Sequence, residues 1–163
     1  MKYLLILSCL LFTSVGWSKD ISWDDLIKSN QDGLFYEKFM DTPFSGKVTG
    51  EEQGKISKGK RDGKWIKYYE NGQFLFEGNY KDGKKEGEQL AYYENGQLRR
   101  KSNYKDDKKD GEWIGYYENG QLRIKGNYKD GKLDGEFLMY DEDGKLKRTR
   151  IYKDGEIIET ITP

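Results

Sequence analysis

The sequence predicts an all-β chain, an elongated single-layer antiparallel meander of repeated hairpins with an export signal in front. Three observations lead there. A 24-residue unit returns four times in phase, each unit holds two hairpin-turn signals, and aromatic rings rather than aliphatic chains dominate the stretches between them.

The amino terminus comes first. Met1-Lys2-Tyr3 is a short basic region, Leu4 to Phe12 an apolar one, and residues 13–18 place Gly16 and Ser18 like an A-x-A cleavage site. The apolar run falls short of the ~20 residues that a membrane-spanning helix needs. Residues 1–18 therefore read as a signal peptide, and the chain as exported, to the periplasm or beyond the cell. Cys9 stands in the middle of the apolar run, whereas a lipidated cysteine should follow it, so no lipid anchor is expected. With Cys9 removed by cleavage, no disulfide is available.

Next come residues 19–32, which suit either a strand or one helical turn. Residues 33–63 read as a cap, with Leu34-Phe35-Tyr36 and Pro43 to Val48 forming a hairpin and Gly50 to Gly63 a shortened repeat. Residues 64–156 hold the array. Residues 157–163 close it, with Ile157, Ile158 and Ile161 suited to a last strand.

Within the array, Gly63, Gly87, Gly111 and Gly135 stand 24 apart, and so do Tyr80, Tyr104, Tyr128 and Tyr152. The run Tyr-Tyr-Glu-Asn-Gly recurs at 68–72, 92–96 and 116–120, with Tyr140-Asp141-Glu142-Asp143-Gly144 as the fourth copy. Asn71-Gly72, Asn95-Gly96 and Asn119-Gly120, like Asp82-Gly83 and Asp130-Gly131, fit two-residue type I′ turns, which need positive φ twice. Asp107 takes the glycine's place in one copy. Such pairing sets Tyr117 opposite Leu122, Tyr116 opposite Arg123, Gly115 opposite Ile124 and Trp113 opposite Gly126. One face then carries Trp113, Tyr117, Leu122, Ile124 and Tyr128, and the other Ile114, Tyr116, Arg123, Lys125 and Asn127. Alternate strands differ in length, so either the sheet shears at each repeat or bulges at Gly63, Gly87, Gly111 and Gly135 absorb the excess.

The pattern Gly-x-Trp-x-x-Tyr-x-x-Asn-Gly-x-Leu at Gly111 to Leu122 resembles the variant MORN repeat of bacterial proteins. Pro43 to Gly50 is similar to the lead-in of such proteins, many of which bear an antitoxin label. The resemblance implies contacts with proteins or phospholipid headgroups, and the antitoxin label implies neutralising a toxin. Gln89 departs from the pattern where Trp65 and Trp113 keep it, and Phe137 is a conservative variant.

The chemistry points away from catalysis. The chain has no histidine, which removes the commonest general base and a usual metal ligand. Its carboxylates are locked to the repeat at turns. Asp141-Glu142-Asp143-Gly144 lacks the later glutamate of a calcium loop. Neither a metal site nor a cofactor is expected. Beyond residue 18 the chain carries 28 basic and 29 acidic groups, so no single-sign field points to nucleic acid.

Binding is the expected role, to a protein first of all, with an immunity- or antitoxin-like inhibitor and a glycan or peptidoglycan binder as alternatives. The candidate contact residues are Trp65, Tyr68, Tyr69, Tyr92, Tyr93, Arg99, Trp113, Tyr116, Tyr117, Arg123 and Tyr140. Asn71, Gly72, Gly83, Asn95, Gly96, Asn119, Gly120, Gly131 and Gly144 are assigned to turns. Membrane contact and oligomeric state stay open.

Overall fold

The computed structural model describes residues 19–162; the signal-peptide and Cys9 readings lie outside them. The array strands are β6 (Lys60–Tyr68), β7 (Phe74–Lys81), β8 (Lys84–Tyr92), β9 (Leu98–Lys105), β10 (Lys108–Tyr116), β11 (Leu122–Lys129), β12 (Lys132–Leu133), β13 (Gly135–Tyr140) and β14 (Leu146–Lys153). Before them run β1 (Lys19–Ser22), β2 (Leu26–Lys28), β3 (Phe35–Glu37), β4 (Gly46–Thr49) and β5 (Glu52–Ser57), and β15 (Glu156–Ile161) follows. From β4 to β15 each strand pairs antiparallel with its neighbour in sequence, except that β11 passes to β13 with the short β12 alongside. The substantial contacts between strands are all between sheet neighbours, as a single layer requires.

The two turns of each unit are built differently. At the Asp turns both central residues have positive φ (Asp82 51°, Gly83 85°), and Lys81 pairs with Lys84, which is the expected two-residue type I′ connection. Asp106 and Asp107 take the same shape at 49° and 66° without a glycine. The Asn-Gly turns correct the sequence expectation. Only the glycine has positive φ (Gly120, 83°). Gly120 N–H donates to Tyr117 C=O, and Tyr117 N–H donates to Gln121 C=O. That is a three-residue connection, a turn followed by a left-handed glycine bulge.

The asparagine explains the difference. Asn119 Oδ1 accepts from Gln121 N–H at 2.9 Å, a local bond that spends the side chain on closing the turn. The register follows: Trp113 pairs with Gly126 and Gly115 with Ile124 as expected, but Tyr116 pairs with Leu122. Arg123 is the extra residue, so neither the Tyr117–Leu122 nor the Tyr116–Arg123 pairing forms.

Bulges, not shear, absorb the unequal strand lengths. Between β9 and β10, Asp110, Gly111 and Glu112 stand opposite Asn103 alone, and Gly111 has a φ of 103°. Two surplus residues keep the side-chain alternation intact. One row therefore crosses the sheet from Trp65 through Gly78, Gln89 and Ser102 to Trp113 and Gly126.

The ends break the repeat. Residues 19–28 are both of the forms left open, a strand and then a turn of 3-10 helix at Trp23–Asp25, leading into β2. The expected 34–48 hairpin is reduced to one antiparallel bridge between Tyr36 and Pro43, with Phe44 N–H donating to Phe35 C=O, and β3 pairs with β2 in a small separate sheet. β1 lies parallel to β4, the sheet's one parallel pair among the described residues, because the excursion from Trp23 to Ser45 returns the chain to its start. Ile21, Phe44, Val48, Ile56 and Trp65 form the buried core, with Trp23, Leu26, Phe35 and Tyr80 packed on it. At the far end β15 does pair with β14, yet Ile157, Ile158 and Ile161 stay about half exposed.

Candidate binding face

Large side chains alternate with small ones along the central row. On β6, β8, β10 and β13 stand Trp65, Gln89, Trp113 and Phe137, and each leans toward a small residue on the strand before it: Gly54, Gly78, Ser102 and Gly126. The fit is close. A Cβ at Gly126 would lie 2.6 Å from the Phe137 ring, nearer than side chains approach, so glycine is what lets the ring down onto the sheet. Trp65 Nε1 donates to Lys55 C=O at 3.1 Å, and Gln89 Nε2 repeats that bond to Asn79 C=O at 2.8 Å. Gln89 thus keeps the tryptophan's donor while losing its ring, and its own Oε1 is buried without a partner among the described residues. Across the third and fourth repeats Trp113 and Phe137 stack at 5.9 Å and 19°, and Tyr128 meets Trp113 edge-on at 6.1 Å.

Beside this row runs a file of cations over rings. Arg61 lies 4.5 Å from Trp65 and 5.3 Å from Tyr80, Lys85 lies 5.0 Å from Tyr104, and Lys109 lies 5.1 Å from Trp113 and 4.5 Å from Tyr128. Each gains roughly 0.5–2 kcal/mol, depending on exposure. Leu133 holds the fourth position, opposite Tyr128. Among the described residues, the N-terminal segment covers only the first of these sites. Trp23 packs edge-on against Trp65 at 5.8 Å, and Trp23 and Phe35 complete a four-ring enclosure around Arg61, which also pairs with Glu52. A cleft of about 380 Å³ remains there, lined by Lys28, Lys60 and Arg61 among Trp23, Phe35 and Tyr80.

The opposite face is ionic around an apolar file. Ile66, Leu90, Ile114 and Leu138 alternate with Glu77, Lys101 and Lys125, and the pairs Lys64–Glu77, Lys101–Glu88 and Lys125–Glu112 tie neighbouring strands. Tyr92 donates to Glu77 Oε1 at 3.1 Å. Burial and that carboxylate push its phenol up to about 12.

The sequence-predicted contact residues divide into distinct groups. Trp65 is wholly buried, while Trp113 is half-buried on the ring shelf. Tyr69, Tyr93 and Tyr117 each donate to the backbone carbonyl of the next unit's tyrosine, at Tyr92, Tyr116 and Tyr140. Asn71, Asn95 and Asn119 donate likewise to Glu94, Glu118 and Glu142. These side chains link turn to turn along one edge of the sheet. Tyr68 and Tyr92 flank Phe74 at 5.4 and 5.9 Å, and Tyr116 and Tyr140 are half-buried. Arg99 lies 6.0 Å from Tyr93, and Arg123 is exposed. Gly72, Gly96 and Gly144 follow Gly120, while Gly83 and Gly131 complete the type I′ turns.

Sequence reasoning missed the cation file. Its signal was present: a basic residue stands nineteen positions before Tyr80, Tyr104 and Tyr128 alike. Among the described residues no group of three or more His, Cys, Asp or Glu is placed to hold a metal ion.

Comparison with known families agrees with this geometry. The profile of the MORN repeat variant matches residues 61–82, 85–106, 109–130 and 133–154, four stretches of 22 residues that make 88 of the 163. The chain belongs to the MORN repeat variant family. The matched stretches each run from the cation position to the Asp turn, so the unit that the family defines is the unit that builds the shelf. Repeats of this family are protein- or membrane-binding modules. No curated protein matches the chain.

Proposed function

We propose that this MORN-repeat chain is an exported protein-binding module, a scaffold at the cell envelope or outside the cell that works through the ring-and-cation shelf of repeats two to four. One observation carries the reading. The shelf is covered over the first repeat by the chain's own N-terminal segment, and among the described residues no such cover lies over Trp113. A contiguous, partly exposed aromatic surface on a single-layer sheet is what interaction sites look like, and tryptophan, tyrosine and cations are what they favour. Export is supported by Lys2, the apolar run Leu4 to Phe12 and the small residues after it.

The test is affinity capture by the chain and by a Trp113→Ala/Phe137→Ala double variant, with circular dichroism confirming the β content of both. One protein held by the first and lost by the second is the expected result. Capture of nothing by either counts against the role. Saturable signals on a glycan array, weakened by the same variant, would move the reading to a sugar binder. Unprocessed chain remaining in the cytoplasm would overturn export.

A further inference from the structure

Built on the binding-module reading, we propose that the shelf of Lys109, Trp113, Tyr128 and Phe137 seats a short segment of a partner protein. That segment carries a tryptophan followed by acidic residues, its ring held as Trp23 is held on the first repeat and its acid facing Lys109. The argument is internal. Arg61, Trp65 and Tyr80 have their counterparts two units on in Lys109, Trp113 and Tyr128. At the first site the guanidinium has four rings around it, Trp65 and Tyr80 from the sheet and Trp23 and Phe35 from the segment above. At the third site the two sheet rings are in place at 5.1 and 4.5 Å, and neither upper ring is supplied by the described residues. The chain thus displays both the receptor and, two units away, the ring chemistry of what fills it.

Two further points select the third site and its ligand. The second repeat has Gln89 in the tryptophan's place and the fourth has Leu133 in the cation's, so only the third repeats the first. Arg61 has Glu52 as ion-pair partner, whereas Lys109 has no such carboxylate among the described residues, which leaves its charge for acid on a ligand. Asp24 and Asp25, exposed beside Trp23, show how a short segment offers ring and acid together. Phe137, stacked on Trp113, widens the seat.

The probe is a synthetic peptide of residues 19–38, titrated into the full chain labelled with ¹⁵N at tryptophan and read at the indole signals. Saturable movement of the Trp113 signal, with the Trp65 signal still, is expected. Lys109→Glu should weaken binding by about tenfold, and a peptide with Asp24→Lys and Asp25→Lys should recover part of that loss on the Lys109→Glu chain. An unchanged Trp65 signal certifies that the variant is folded. No movement at Trp113 up to about 1 mM peptide, or indifference to Lys109→Glu, overturns the proposal. So does concentration-dependent self-association abolished by Lys109→Glu, which would assign the shelf to a second copy. If the chain still captures a partner while the peptide fails, this seat is wrong and the binding-module reading stands.

Discussion

In the first repeat Trp65 is wholly buried beneath Trp23 and Phe35, whereas its counterpart in the third, Trp113, is half-buried against Phe137 and Tyr128. The strand, the bulge glycine and the neighbouring cation are equivalent at both places. What differs is non-repeated sequence. A repeat fixes where a ring stands on the sheet, and whether that ring becomes core or surface is decided by a segment outside the repeat. The indole N–H groups differ as well: Trp65 donates to Lys55 C=O, while the Trp113 N–H is buried with no partner among the described residues.

Substitution can break this contrast, and the largest effect is expected at the covered ring. Trp65→Ala should cost about 3–5 kcal/mol in urea unfolding, because it empties the core and detaches the N-terminal segment together. Trp113→Ala should cost roughly half as much, since its ring is only partly removed from water. Equal costs would show that the cover contributes nothing.

Asn119→Ala should follow at about 1–2 kcal/mol, losing the bond that closes its own turn and the one to Glu142. Asp143→Ala, whose side chain makes no forward bond among the described residues, should cost less in the same assay. Gln89→Trp sharpens the comparison from the other side. It supplies the missing ring over Gly78 and removes a buried, unpaired oxygen, so a gain of about 1 kcal/mol is expected. A loss would mean that the second repeat has closed around the smaller side chain.

The last effect appears only in alkali. Tyr92 titrates higher in the folded chain, about 12, than the ordinary value of 10, so its neutral form is the one that folding favours. Its contribution is complete below pH 10 and is lost as pH rises toward 12. Tyr92→Phe should flatten that part of the stability profile, measured by denaturant midpoint against pH.

The sheet and its direction were legible because the 24-residue step and the Asp-Gly dipeptides each restrict the backbone to one solution. Asn-Gly did not, since asparagine can either adopt positive φ itself or fold its side chain back onto the turn, and one residue of difference moves Leu122 from Tyr117 to Tyr116. The face was half legible. Trp113 over its small neighbours could be read from strand pairing, but Tyr69, Tyr93 and Tyr117 look like contact residues until their hydroxyls are seen on the next unit's backbone. The N-terminal cover was not legible, because nothing periodic marks Trp23 and Phe35 as partners of Arg61.

The turn-to-turn bonds give the array a polarity. Tyr69, Tyr93 and Tyr117, with Asn71, Asn95 and Asn119, all donate forward, toward the carboxyl end. In the fourth unit those positions are Asp141 and Asp143, and Asp141 instead accepts from Lys145 N–H and pairs with Lys147. Acceptors have replaced donors at the fourth turn. The forward series of donors therefore stops at the fourth unit. Duplication or loss of a whole interior unit keeps each forward donor facing an acceptor, whereas a unit set directly behind the fourth would receive no such donor.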